Sequence, residues 1–224
     1  MTVYRTRRPI TALPFFVTTT TARGRLAAIA ALLLLPLAAC TGSAPSGSQA
    51  DIDGTVHVCS SCHGLDGKSV NPTFPRLAGQ QKDYLVAQLT AFRDKTRADP
   101  HARTYMWGMA ARLSDVTIDG VATYFSALPP ASGTPGDPKQ VAAGKKIFID
   151  GTEAENAHGC MACHGEQAQG QGEIPRLAGQ HKEYLQGQLE AFATNSRANE
   201  IMHEHAMHLT PPDIVAVTTY LAAQ

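Results

Sequence analysis

Cys59-Ser60-Ser61-Cys62-His63-Gly64 decides how this chain is read, and it returns as Cys160-Met161-Ala162-Cys163-His164-Gly165. Cys-x-x-Cys-His is the attachment pattern of c-type haem. Two thiols at this spacing match the two vinyl groups of the macrocycle and form thioethers with them. The histidine beside the second thioether reaches the iron as its proximal ligand. Cys59, Cys62, Cys160 and Cys163 are therefore read as haem anchors, and His63 and His164 as iron ligands. The cofactor is two covalently bound haem c groups. A lone Cys-x-x-Cys would also suit a redox dithiol or half of a zinc site. A four-cysteine zinc site requires no histidine beside each pair. A thioredoxin-like motif comes once, inside a βαβ pattern that this chain lacks.

The repetition extends beyond the motif. Phe74-Pro75-Arg76-Leu77-Ala78-Gly79-Gln80 returns as Ile174-Pro175-Arg176-Leu177-Ala178-Gly179-Gln180, and Lys82-Asp83-Tyr84-Leu85 as Lys182-Glu183-Tyr184-Leu185. Near the ends, Leu113-Ser114 and Tyr124 match Leu209-Thr210 and Tyr220. The chain is two copies of one small haem domain, each so short that an apolar core alone is marginal. The copies span 51–128 and 139–224. The Pro- and Gly-rich stretch 129–138 cannot continue a helix and reads as the linker.

Residues 1–39 read as an export signal and stand outside the fold. Arg5, Arg7, Arg8, Arg23 and Arg25 precede or open an apolar run, Leu26 to Ala39, too short to span a bilayer comfortably. It ends in Leu37-Ala38-Ala39-Cys40, which resembles a bacterial lipobox, with Cys40 as the acylated residue. The alternative is an ordinary signal peptide with a chance cysteine. Four of the five cysteines belong to the haem motifs, and Cys40 is the one left over. Residues 40–50 read as a flexible tether that holds the haem domains near a membrane without entering it. These features place the protein in the periplasm, lipid-anchored.

Removing the five signal arginines leaves 14 basic against 19 acidic residues. That balance disfavours nucleic-acid binding. Acids concentrate in the second copy, at Asp150, Glu153, Glu155, Glu166, Glu173, Glu183 and Glu190. They are read either as a docking face for a redox partner or as a solvated surface.

Helices are expected from about Asp51 to Cys59 and from Gln140 to Ile149, the latter followed by an extra loop, 150–159. Tyr84, Leu85, Gln88, Leu89 and Phe92 fall at helical spacing, as do Tyr184, Leu185, Gln188, Leu189 and Phe192. These stripes are read as core, packed on haem and on the last helix. Ser114 and Thr210 are good N-caps for the final helices.

The sixth iron ligand separates a carrier from an enzyme. A thioether opposite histidine raises the potential and fills the open site, which suits electron transfer. Aligning Leu113 with Leu209 pairs Met106 with Met202, so both are assigned as axial ligands. Met109 and Met207 are read as pocket packing. His203, His205 and His208 remain competitors in the second copy. Trp107 is assigned to core or rim packing, and His57, His101, His158 and His181 to surfaces or loops.

With these residues in place, the chain resembles the di-haem cytochromes c of the cytochrome c4 type, over essentially all of 51–224. The resemblance implies an all-α fold: two tandem class I cytochrome c domains related by pseudo-twofold symmetry. It implies that the carbonyls of Pro75 and Pro175 accept the Nδ1 hydrogens of His63 and His164. The other reading is that these prolines only turn the chain. It also implies a non-enzymatic carrier with no small-molecule substrate, exchanging electrons with redox proteins such as a terminal oxidase or a quinol-cytochrome c reductase. A di-haem peroxidase is the enzymatic alternative. A cytochrome subunit bound permanently to a dehydrogenase or oxidase is the third reading.

Overall fold

A computed structural model describes residues 47–152 and 158–224. The signal segment, Cys40, most of the tether and the middle of the loop 150–159 lie outside the described residues. Among the described residues the chain is helical, with one isolated β-bridge between Gln171 and Ile174.

Both repeats run through the same order. The first has α1 (Gln49–His63), α2 (Lys82–Arg93), a single π-helical turn (Ala102–Met106), α3 (Trp107–Ala110) and α4 (Asp115–Ala127). The second has α5 (Pro138–Asp150), α6 (Met161–His164), α7 (Lys182–Ala193), α8 (Glu200–Ala206) and α9 (Pro211–Ala222). Several bounds differ from the sequence reading. Helix α1 begins inside the stretch read as tether, because the Ser48 hydroxyl accepts the Asp51 N–H and caps it. It then continues through the haem motif to His63. Helix α5 starts at Pro138, inside the stretch read as linker. The Asp137 carboxylate caps it and proline suits its first position.

The last helix of each repeat is the platform. Helix α4 packs on α1 and α2, and α9 packs on α5 and α7. Ser114 caps α4, and Thr210 and Asp213 form a reciprocal capping box on α9. Each cap contributes roughly 1 kcal/mol. Phe125 and Val121 of α4 pack with Val56 and Leu85, and Val217, Tyr220 and Leu221 of α9 pack with Phe148 and Leu185. Helices α5 and α9 approach so closely that a Cβ at Gly144 would collide with the Ala216 carbonyl.

The repeated Pro-Arg-Leu-Ala-Gly-Gln segment is strapped between haem motif and platform. Leu77 and Ala78 N–H donate to Gly67 O, and Gly79 N–H to Phe125 O. In the second repeat, Leu177 and Ala178 donate to Ala168 O, and Gly179 to Leu221 O. These bonds fix each proline beside its histidine.

Candidate haem-binding sites

His63 and His164 end α1 and α6. Each helix stops because the next residue, Gly64 or Gly165, takes φ of +82° or +80°, a region that glycine enters at little cost. That is the physical reason for the glycine after each motif. The imidazoles are buried. His63 Nδ1 lies 2.8 Å from Pro75 O, and His164 Nδ1 lies 3.0 Å from Pro175 O. A carbonyl only accepts, so Nδ1 carries the hydrogen and Nε2 keeps its lone pair. Burial pushes both imidazoles below their ordinary pKa, against the pull of the proline carbonyls, and nearby His205 adds to the depression at His164. Both rings are therefore neutral and oriented, the form in which histidine binds a metal.

Cys59 and Cys160 are half-buried, Cys62 and Cys163 are exposed, and none of the four is in a disulfide. Burial pushes the Cys59 and Cys160 thiols up to about 11. A redox dithiol needs the opposite, a lowered thiol pKa. Among the described residues no three His, Cys, Asp or Glu side chains converge as a metal site. Paired thiols one turn from a buried, oriented imidazole fit haem c.

Met106 closes the π turn, half-buried against the cluster of Phe92, Ala102 and Ala110. Met202 lies in the first turn of α8, where Asn199 Oδ1 accepts its N–H at 2.9 Å. Met106 stands seven positions after Asp99, but Met202 only three after Asn199. The π turn, Ala102–Met106, lies within this longer connection. Met109 and Met207 are 57% and 49% exposed. Trp107 donates from its indole to Arg97 O at 2.8 Å, and the corresponding His203 uses Nδ1 on Phe192 O at 2.8 Å. His205 packs edge-on against His158, and its buried Nδ1 has no hydrogen-bond partner.

The resemblance implied a packed pair of domains, but the sequence reading missed the residues that make the contact. Tyr84, Gln88, Tyr184 and Gln188, read as core against haem, join Arg97 and Arg197 in a polar network across the interface. Arg97 donates to Gln88 Oε1 at 2.8 Å and to Gln188 Oε1 at 2.7 Å. Arg197 donates to the same two acceptors and to Tyr84 OH at 3.0 Å. Asp99 Oδ2 pairs with Arg97 Nε at 2.8 Å. His181, read as a loop residue, also crosses, with Nε2 on Ser69 O at 2.8 Å. The repeated Arg-Ala-Asp and Arg-Ala-Asn at 97–99 and 197–199 was the signal available in the sequence.

The cytochrome c family model matches residues 56–129 and 141–224. A cytochrome c-552 of Acidithiobacillus ferridurans is 40% identical over 167 residues, covering 74% of this chain and 73% of that protein. A cytochrome c4 of Azotobacter vinelandii is 34% identical over 200 residues, covering 84% and 95%. Among solved structures, the cytochrome c4 of Acidithiobacillus ferrooxidans matches with a TM-score of 0.71 at 40% identity, covering 74% of this chain and 98% of that one. The chain therefore belongs to the cytochrome c family, as an electron-transfer protein with two cytochrome c domains in tandem, each binding one haem c covalently.

Proposed function

We propose that this protein is a periplasmic di-haem carrier that passes electrons between respiratory partners and delivers them toward a terminal oxidase. His63 and Met106 complete the coordination of one iron, and His164 and Met202 that of the other. The domains run 51–128 and 139–224, joined by the linker 129–138, and residues 1–39 are a lipoprotein-type signal. Cys40 carries the lipid, and 40–50 tether the haem domains to the membrane. Haem held in this way supplies a one-electron couple.

The observation that carries this reading is the paired hydrogen bond from His63 and His164 to the carbonyls of Pro75 and Pro175, at 2.8 and 3.0 Å. It leaves both Nε2 atoms as strong, neutral donors to iron. A second ligand from each repeat then fills the coordination shell, which favours outer-sphere electron transfer over substrate binding. The test is oxidation of the pre-reduced protein by membranes containing a terminal oxidase. Rapid oxidation that is inhibited by salt supports the proposal, because electrostatic docking is screened. Sluggish oxidation together with substantial peroxide turnover favours the peroxidase reading.

A further inference from the structure

The Pro75–Arg76 peptide is held from both sides. Its carbonyl accepts His63 Nδ1–H at 2.8 Å, and its N–H donates to Gln180 Oε1, in the other repeat, at 2.8 Å. Gln180 Nε2 then donates to Arg76 O at 2.9 Å. The second repeat mirrors this. The Pro175–Arg176 carbonyl accepts His164 Nδ1–H at 3.0 Å, and the N–H of the same peptide donates to Gln80 Oε1 at 2.7 Å. Gln80 Nε2 donates to Arg176 O at 3.0 Å. Both glutamines are buried, and their own backbone N–H groups are tied to Leu77 O and Leu177 O. Each Oε1 also accepts the N–H of the following residue, Gln81 or His181, at 3.0 Å.

An amide that donates through its N–H becomes a better acceptor at its carbonyl, because both bonds polarise the same O=C–N–H unit. A better acceptor on Nδ1–H makes the imidazole a stronger donor to iron, and second-shell hydrogen bonding of this kind is one of a protein's levers on haem potential. We infer that Gln80 and Gln180 are positioning residues that act in trans: each tunes the potential of the haem bound by the opposite repeat, so closure of the interface couples the two redox centres. The inference rests on the reading of His63 and His164 as iron ligands. Its direction is fixed. Loss of the glutamine acceptor weakens the histidine as a donor, leaves the oxidised iron less stabilised, and raises the potential.

The test uses the full holoprotein with Gln180→Leu, Gln180→Glu and Gln80→Leu. Two quantities are followed haem by haem in NMR-monitored redox titrations: the potentials, and the His63 and His164 Nδ1–H resonances of the reduced state. Gln180→Leu raises the potential of the His63 haem, changing the electron distribution between the haems about threefold, and moves the His63 Nδ1–H signal upfield. The His164 signal stays in place. Gln80→Leu does the reverse. Gln180→Glu puts a charged, stronger acceptor on Arg76 N–H, so the His63 signal moves downfield. Should Gln180→Leu part the repeats, the Gln180→Glu signals still decide the matter. Shifts confined to the repeat that carries the substitution, equal at both haems, or absent overturn the inference. A His63 Nδ1–H signal with no haem ring-current shift instead overturns the ligand assignment beneath it.

Discussion

Arg197 Nη2 lies 2.8 Å from Gln88 Oε1, a hydrogen bond that crosses from one haem domain to the other. Arg97 returns it to Gln188 at 2.7 Å. The two guanidinium groups stack on Phe92 and Phe192, at 4.7 and 4.5 Å from the ring centroids. One carboxylate, Asp99, pairs directly with this buried network, and the matching residue of the second repeat is Asn199. The interface is thus pseudosymmetric in hydrogen bonding and asymmetric in charge.

Asp99 supplies the buried counter-charge of Arg97. Its side chain and that of Arg97 are 2% and 8% exposed. Asp99→Ala leaves a buried guanidinium without its counter-charge and lowers the unfolding free energy by about 3 kcal/mol. Asp99→Asn, which copies the second repeat, costs about 1–2 kcal/mol because a hydrogen-bond acceptor remains. Denaturant unfolding of the holoprotein measures both. Equal stability of the Ala variant and the original protein contradicts the paired-charge account.

The same pair sets an acid dependence. Burial alone would raise the Asp99 carboxyl; the adjacent Arg97 overrides this and holds it below the ordinary carboxylate pKa of 3.8. A carboxyl lowered in the folded state contributes stability that is complete above its unfolded pKa and is lost as pH falls through the folded one. The stability difference between the original protein and Asp99→Asn is therefore constant at neutral pH and shrinks below about pH 4. Unfolding curves at stepped pH check this. A difference that grows with acid has the wrong sign.

Each haem motif has two anchors, so removing one leaves a single thioether. Cys62→Ala or Cys163→Ala retains two haems by mass, one of them held through Cys59 or Cys160 alone, and lowers the thermal midpoint. Release of that haem into acid-acetone contradicts attachment through the remaining cysteine.

The proposed anchor is tested apart from the haem chemistry. Cys40→Ser moves the haem domains from the membrane fraction to the soluble periplasmic fraction and abolishes acylation. Unchanged fractionation, with an unmodified N-terminus in the original protein, removes Cys40 from the account.

The haem motifs, the two-copy plan and the helix caps were legible because each depends on local chemistry. A Cys-x-x-Cys-His run, a glycine that must take positive φ after His63 and a hydroxyl at Ser114 or Thr210 all act within a few residues. The residues that form the interface were not legible. Tyr84 and Gln88 share a helical stripe with Leu85 and Phe92, and periodicity cannot tell which members of a stripe face haem and which face a second domain. Gln80 stood in the quoted repeat, but its partner is the backbone of Arg176 in the other repeat. The hydrogen bonds on Pro75 and Pro175 were reached through resemblance, since spacing does not specify which carbonyl meets an imidazole. The π turn that ends at Met106 was missed because a single turn of wider hydrogen bonding leaves no local sequence pattern.

The central claim is that His63 with Met106, and His164 with Met202, complete two irons in a carrier. The most direct measurement is the sulfur-to-iron charge-transfer absorption of the oxidised protein, recorded for Met106→Ala and Met202→Ala beside Met109→Ala and Met207→Ala. The account predicts that each of the first pair removes about half of the band, opens one haem to carbon monoxide and lowers one potential by more than about 59 mV, a tenfold change for a one-electron couple. The second pair spares the band. An intact band in Met202→Ala would contradict the assignment and would make a histidine of the 203–208 segment the ligand of the second haem.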